Sequence, residues 1–455
     1  MSLTLIIWLA LFGLFLVLIF VRPAWGVALY MLSFFACPPL WWWGKGSSIA
    51  SIRWNFYGGI GLLVAVILSR LLRGSKFDTN KWSRRILWAS LGILVNATIV
   101  HIIFARNMEV SSSAYFLLAK FVLLFWMIAL TIKDKKDFNI VIMSMVMGAA
   151  YIGYEATVND RGRLRADRLE GIGAPGANGA NQCASLMVTM LPLVGTIFIS
   201  GSRKQRLLML PIAPMIINVI LLCNSRGAFL AAIAGGMVFV LVAPSRVRKQ
   251  AMYVFGLGII ATWFMLNDPR ILERFSTVLA SEEERDSSAA GRLDYWKAGI
   301  RMISDYPMGA GGDGFKRVHG PKYIQEVSGA EFGARSVHNG YINEACEWGI
   351  QGIILRLSFV GSALWIFISV SRRCSRNGET SHAMIGCTFA ASMTGFLVTS
   401  MFGDYMDAEW GYWMVALAIG YLKVFSQPES SNVAYISDSM ERLRHTQYQN
   451  QLIQL

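Results

Sequence analysis

The stretch Leu3–Val21, LTLIIWLALFGLFLVLIFV, carries no charge and no proline, and its reading decides the fold. It matches the roughly 20 residues that a helix needs to cross a hydrocarbon core. In lipid the backbone must close its hydrogen bonds within the segment, which a helix does. No basic residues precede the run and no small-x-small site follows it, so a retained membrane helix is expected, not a cleaved signal.

Outward from it, comparable runs recur near 24–43, 56–73, 86–104, 113–132, 139–157, 178–200, 207–223, 226–243, 250–266, 348–370, 382–402 and 409–425. Pro38 and Pro39 mark the second run as broken or re-entrant, so the expectation is twelve or thirteen helices. The whole chain agrees: of 455 residues, 55% are hydrophobic and only 15% charged. Soluble domains carry about 25% charged residues. The fold class read from this is all-α: a polytopic membrane protein with a large helical outer loop. The six cysteines form no C-x-x-C pair, and the five histidines show neither i, i+4 pairing nor H-E-x-x-H. No disulfide framework, metal or cofactor is expected.

The formal net charge is +14. Its positions argue against nucleic acid as a partner and for membrane lipids, because the basic residues cluster in alternate loops. These are Arg70 to Arg85, Lys133 to Lys136, Arg203 to Arg206, Arg246 to Lys249 and Arg372 to Arg376. That alternation assigns them to the cytoplasm, and the polar tail after Lys423 with them. The loops at 105–112, 158–177, 224–225, about 267–347 and 403–408 then face outward. Trp41, Trp42, Trp43, Trp348, Trp410 and Trp413 stand near helix ends, where an interfacial aromatic belt is expected. Three regions follow: N-terminal helices over 1–177, a core over 178–425 with the long loop, and a tail over 426–455.

The long outer loop exceeds any plain connector. Ser287 or Ser288 is placed to cap a helix running to about Ser304, with Leu293, Trp296, Ile300 and Ile303 as its apolar stripe. Pro307 stops it, and Gly309, Gly311, Gly312 and Gly314 make a turn. Arg226 opens a helix at the outer face, Arg292 sits on the loop helix, and His338 sits where the loop re-enters the membrane. Each has a plain alternative: a snorkelling arginine, a solvated charge, a packed histidine.

The order of these pieces resembles the O-antigen ligase and O-antigen polymerase superfamily of bacterial envelope glycosyltransferases. The residues that carry it are Asn224-Ser225-Arg226-Gly227, Gly291-Arg292-Leu293-Asp294-Tyr295-Trp296-Lys297-Ala298, Tyr306-Pro307-Met308-Gly309-Ala310-Gly311, His338-Asn339-Gly340-Tyr341 and Glu347-Trp348-Gly349-Ile350-Gln351-Gly352. The resemblance covers roughly 180 to 425. It implies a fold like that of lipid-dependent, metal-independent membrane glycosyltransferases in the bacterial inner membrane, with the active site facing the periplasm. It implies an undecaprenyl pyrophosphate-linked glycan as donor and, for a ligase, lipid A–core as acceptor. By the same resemblance Arg226 and Arg292 bind the pyrophosphate and His338 is catalytic. Chemistry independently suits them: arginine forks match phosphate oxygens, and an imidazole accepts a proton near neutral pH.

Secondary candidates are Asn339, the loop arginines Arg161, Arg163, Arg165 and Arg168, the turn carboxylates Asp404 and Asp407, and Lys316, Arg317 and Lys322 as contacts to a phosphorylated core sugar. A polymerase or a protein O-oligosaccharyltransferase shares the donor chemistry and differs in the acceptor. A transporter of lipid-linked glycans would instead place ionisable residues inside helix centres and repeat its halves. The sequence reads as having its charges at helix ends.

Overall fold

Every one of the apolar runs carries a helix, the second over only part of its length. The computed structural model describes residues 2–73, 80–165, 168–266, 287–329 and 333–426. The part of the long loop over 267–286 and the tail from 427 lie outside the described residues. In chain order the elements are α1 (Leu3–Val21), α2 (Trp25–Phe35), α3 (Trp54–Arg73), α4 (Lys81–Ile99), α5 (Met108–Thr131), α6 (Lys135–Thr157), the hairpin β1 (Arg163–Arg165) and β2 (Arg168–Glu170), α7 (Ala180–Ser200), α8 (Arg203–Leu222), α9 (Arg226–Val242), α10 (Ser245–Leu266), α11 (Ser287–Asp305), α12 (Gly320–Ser328), α13 (Gly340–Arg376), α14 (Thr380–Thr399) and α15 (Glu409–Phe425).

Among the described residues nine helices are long and apolar enough to cross a membrane, and Trp25–Leu40 and Arg226–Val242 are shorter apolar stretches. The protein is an all-α polytopic membrane protein. The second run breaks at its prolines: α2 stops at Phe35 and a 3-10 turn follows over Pro38–Leu40. α1 exposes Leu3, Val17, Phe20 and Val21, as an apolar solvent around it permits.

One apolar core runs from Leu5 to Phe425. α14 lies against α7, α9 and α13, and α13 also packs on α4 and α15. Gly235 of α9 touches α14 closely; a Cβ there would stand 2.8 Å from the Ala391 carbonyl oxygen. Small residues allow that backbone approach. The tryptophan belt expected from sequence is corrected. Trp41, Trp43, Trp348, Trp410 and Trp413 are buried inside the bundle, and of the six only Trp42 is exposed. Trp413, for example, meets Phe34 edge to face with centroids 4.9 Å apart. Their position near helix ends coincides with packing between helices.

At the end of the bundle that carries the basic loops, Arg22 bridges Asp134 and Asp137, each at 2.8 Å. At the other end the loop segment after α11 folds on a small core of its own. Ala298, Met302, Ala310, Phe315, Tyr323, Ile324, Val337 and Cys346 form it, so it sits on the first turns of α13. The loop helix expected to run to about Ser304 is α11, Ser287–Asp305. Its buried face differs from the expected stripe: Ala298 and Met302 point in, while Leu293 and Ile300 are exposed. The stripe was drawn through the largest apolar residues, whereas close packing on α13 selects small ones; Gly299 lies against Ile342.

Candidate functional site

α13 is broken at Gly349, whose φ of 80° and ψ of 175° lie outside helical space. This backbone region is essentially reserved for glycine. The break frees carbonyls that must be satisfied inside a membrane protein, and the glycine turn supplies the donors. The Ala310 N–H donates to the Cys346 carbonyl at 3.0 Å and the Gly311 N–H to that of Glu347 at 3.0 Å. The Asn96 side chain donates to the Trp348 carbonyl at 2.9 Å. The Ile350 N–H in turn reaches the Pro307 carbonyl at 3.0 Å. The Tyr306–Gly311 motif therefore stitches the loop into the broken helix.

The short segment 340–348 presents His338 and Asn339 at its start. Asn339 caps the helix: its side-chain oxygen accepts from the N–H groups of Tyr341 and Ile342 at 3.0 and 3.3 Å, a standard stabilising N-cap. His338 has φ of 57°, a left-handed conformation uncommon outside glycine. The turn between α14 and α15 over-determines it. Asp404 accepts from the Asn339 N–H at 3.0 Å and from the His338 N–H and the Ser336 side chain. The Gly340 N–H donates to the Ser400 carbonyl at 2.8 Å, and a Cβ on Gly340 would stand 2.8 Å from the Met406 nitrogen.

The ring of His338 is partly buried and faces Tyr295 of α11, with centroids 6.0 Å apart. Burial, followed by the positive charges of Arg292, Arg335 and Lys316, pushes its pKa down to about 4. The imidazole is therefore neutral at neutral pH. Burial pushes Asp404 up to about 6, against its hydrogen bonds and Lys316. Asp407 is pushed up to about 7 by burial and then by Glu344, with Arg356 opposing. Burial and Asp404 raise Tyr405, while Arg292 and Arg168 pull it down. Arg292 thus bears on both His338 and Tyr405.

Arg226 is the first residue of α9 and is partly buried. Its neighbour Gly227 lies against Phe402, since a Cβ there would stand 2.8 Å from the Phe402 Cβ. The starts of α9 and α13 therefore abut the same turn, 400–408, and Arg292 bears on Tyr405 within it. The loop arginines divide. Arg161 lies over the Trp42 ring at 4.6 Å, Arg163 is on an exposed strand, and Arg165 is 4.0 Å from Glu170 on the surface. Arg168 is the one turned inward. Its Nε donates to the Cys223 carbonyl at 3.3 Å, beside the turn that leads into Arg226, and its Nη2 donates to Asn181.

Lys316 bears on both His338 and Asp404, while Arg317 pairs with Asp313 at 3.2 Å and Lys322 with Glu326 at 3.8 Å. Sequence reasoning missed Tyr295 and Arg335, though Tyr295 lies within the Arg292 motif. It also missed Arg356. Contrary to the reading of charges at helix ends, Arg356 is fully buried within α13. Its Nε is 3.0 Å from Glu344 and its Nη1 donates to the Tyr412 hydroxyl.

A search of curated proteins finds no match to the chain. The sequence model of the family described as O-antigen ligase matches residues 211–357. That segment starts within α8, passes the break in α13, and contains Arg226, Arg292 and His338.

Proposed function

We propose, from the place of residues 211–357 in the O-antigen ligase family, that the protein is an envelope glycosyltransferase. In this reading it moves a preassembled glycan from undecaprenyl pyrophosphate to an acceptor hydroxyl, that of lipid A–core in a ligase, at the periplasmic face of the inner membrane. The observation that carries it is that the turn 400–408 seats both the start of α9, at Arg226, and the start of α13, at His338, with the charge of Arg292 bearing on the imidazole.

The reaction is a single displacement with inversion. The acceptor oxygen bonds to the anomeric carbon as the bond from that carbon to the phosphate oxygen breaks. The electron pair leaves on the diphosphate, and the acceptor proton passes to the His338 ring. Arg226 and Arg292 take the charge that grows on the leaving oxygens. Burial first, and then the positive charge of Arg292, Arg335 and Lys316, hold His338 a poor base in the free protein. A bound diphosphate offsets Arg292 and so relieves the part of that depression that comes from its charge, while the part due to burial stays. Arg226, Arg292 and His338 perform these steps without a metal in this proposal.

The test uses purified protein in detergent with a lipid-linked glycan donor and chelator. Lipid A–core, a second lipid-linked unit and a Ser/Thr peptide are offered as acceptors. Transfer to lipid A–core is expected; transfer only to the second or third would make the protein a polymerase or a protein ligase. Arg226→Lys should raise the donor KM, because a point charge does not reproduce the fork. Donor crossing a bilayer without transfer, or a product that keeps the donor's anomeric configuration, would overturn the mechanism.

A further inference from the structure

Arg168 has no step in the mechanism above, yet it is held at the turn that carries Arg226. α8 ends at Leu222, and Cys223 is its C-terminal cap. The last carbonyls of a helix have no partner within it. Arg168 supplies one at Cys223, where its Nε donates to the carbonyl at 3.3 Å. Its Nη2 donates to the Asn181 side chain in the first turn of α7. One guanidinium thus ties the end of α8 to the start of α7. Nε and Nη2 form an edge with which an arginine can grip a phosphate; on Arg168 that edge is spent on the protein.

The hairpin side of this tie is itself fixed. Leu169, Ile172, Ala174 and Ala177 are buried, and the Gly171 N–H donates to the Asn178 carbonyl at 3.2 Å. Arg168 is half-buried on this wall, whereas Arg161, Arg163 and Arg165 are exposed. The Arg226 side is short, because Asn224 and Ser225 alone separate Cys223 from Arg226. Asn224 reverses the chain at φ of 45°, a left-handed conformation that asparagine tolerates. Ser225, the N-cap of α9, makes no side-chain cap bond among the described residues. The turn is therefore held from outside, by Arg168 at Cys223 and by Phe402 against Gly227. A shift of the Cys223 carbonyl has two residues to absorb it before it reaches Arg226.

We infer that Arg168 is a positioning residue for Arg226: by clamping the Cys223 carbonyl to Asn181, it fixes the Arg226 guanidinium where the donor diphosphate binds. This rests on the glycosyl-transfer reading. A lysine at 168 supplies a point charge and not the planar fork that reaches both acceptors.

The experiment measures donor and acceptor constants separately, with melting temperature, for the full chain in detergent with a lipid-linked glycan donor and lipid A–core. Arg168→Gln should lower kcat/KM for the donor by about 10–100-fold, the scale of a small misplacement of a binding group, with acceptor KM and melting temperature near wild type. Asn181→Ala leaves the Arg168 charge in place and should lower the same constant by a smaller factor; Arg168→Lys should recover part of the Arg168→Gln loss. If Arg168→Gln yields no folded protein, these two variants carry the comparison. In an Arg226→Lys background, Arg168→Gln or Asn181→Ala should add little, because the clamp acts through Arg226. Arg165→Gln removes an exposed charge from the same hairpin and should leave the donor constants unchanged. Full multiplication of the Arg168 and Arg226 losses would make Arg168 an independent contact to the donor and overturn the assignment. An equal loss in Arg165→Gln, a rise in acceptor KM alone, or a lower melting temperature with unchanged donor constants would also overturn it, while transfer itself persists. Absence of transfer to every acceptor by the wild type would remove the function beneath it as well.

Discussion

The Nε of Arg356 lies 3.0 Å from Oε1 of Glu344, although the two residues are 12 positions apart in one helix. An unbroken helix would hold them roughly 18 Å apart at 1.5 Å per residue. The break at Gly349 brings them together, and the Tyr412 hydroxyl of α15 accepts from Nη1 of the same guanidinium. The pair thereby fixes the angle between the segment that presents His338 and the long remainder of α13.

Both side chains of that pair are almost fully buried, at 1% and 3% exposure, and among the described residues Arg356 Nη2 has no hydrogen-bond partner. Removing one partner leaves the other charge buried alone, at a cost of about 3–5 kcal/mol. Arg356→Met and Glu344→Leu should each sharply lower thermal stability in detergent. The double variant should recover most of the loss, since an apolar pair carries no desolvation penalty. Thermal scans that find the two losses simply additive would show that the ion pair does not set this angle.

His338→Asn separates chemistry from backbone conformation. Asparagine tolerates left-handed backbone nearly as well as histidine, so the φ of 57° and the Asp404 contacts persist. The imidazole is lost, and with it general-base catalysis worth about 10²–10⁴-fold. Transfer should fall by that range with melting unchanged. His338→Val, β-branched at positive φ, should be less stable as well as inactive. Full transfer by His338→Asn would remove the imidazole from the mechanism.

The sign of the pH dependence differs between the two groups flanking the turn. His338, held at about 4, binds fewer protons folded than unfolded between pH 4 and its ordinary value near 6.5. Its contribution therefore grows with pH over that window. Asp407, raised to about 7, does the reverse: its contribution is full below its ordinary value near 3.8 and is lost as pH rises through about 7. Asp407→Asn should thus gain stability relative to wild type between pH 5 and pH 8. Chemical denaturation at the two pH values checks it, and a difference that shrinks with pH contradicts the assignment. Arg292→Gln should move the acid limb of kcat/KM upward, because one of the charges holding His338 down is gone.

How much of this was legible in the sequence follows from range. Membrane helices show themselves by local composition, and each run from Leu3 to Phe425 carries a helix. Arg226, Arg292 and His338 stood out because each is polar at the edge of an apolar run or within a recurrent motif. The Arg356–Glu344 pair was hidden because it depends on a break whose angle no local pattern encodes. The inward turn of Arg168 was hidden among four arginines of one loop, since it depends on a carbonyl at Cys223. The burial of Trp410 and Trp413 was hidden because helix ends also meet other helices.

The glycine at the break gives the sharpest structural test. At φ of 80° and ψ of 175°, Gly349 occupies space closed to residues with a Cβ, and that atom would stand 2.5 Å from the Met308 carbonyl carbon and oxygen. Both obstacles are backbone, so no rotamer change relieves them. Gly349→Ala should prevent α13 from breaking, detach the Tyr306–Gly311 turn from the carbonyls of Cys346 and Glu347, and leave His338 without its seat on Asp404. Loss of folded protein, or folded protein with no transfer, is expected. Gly361→Ala in the same helix, where a Cβ meets nothing within 4 Å, should be neutral or mildly stabilising. Equal yield and activity for the two variants would mean that α13 works unbroken, and that the site is not assembled by the bend.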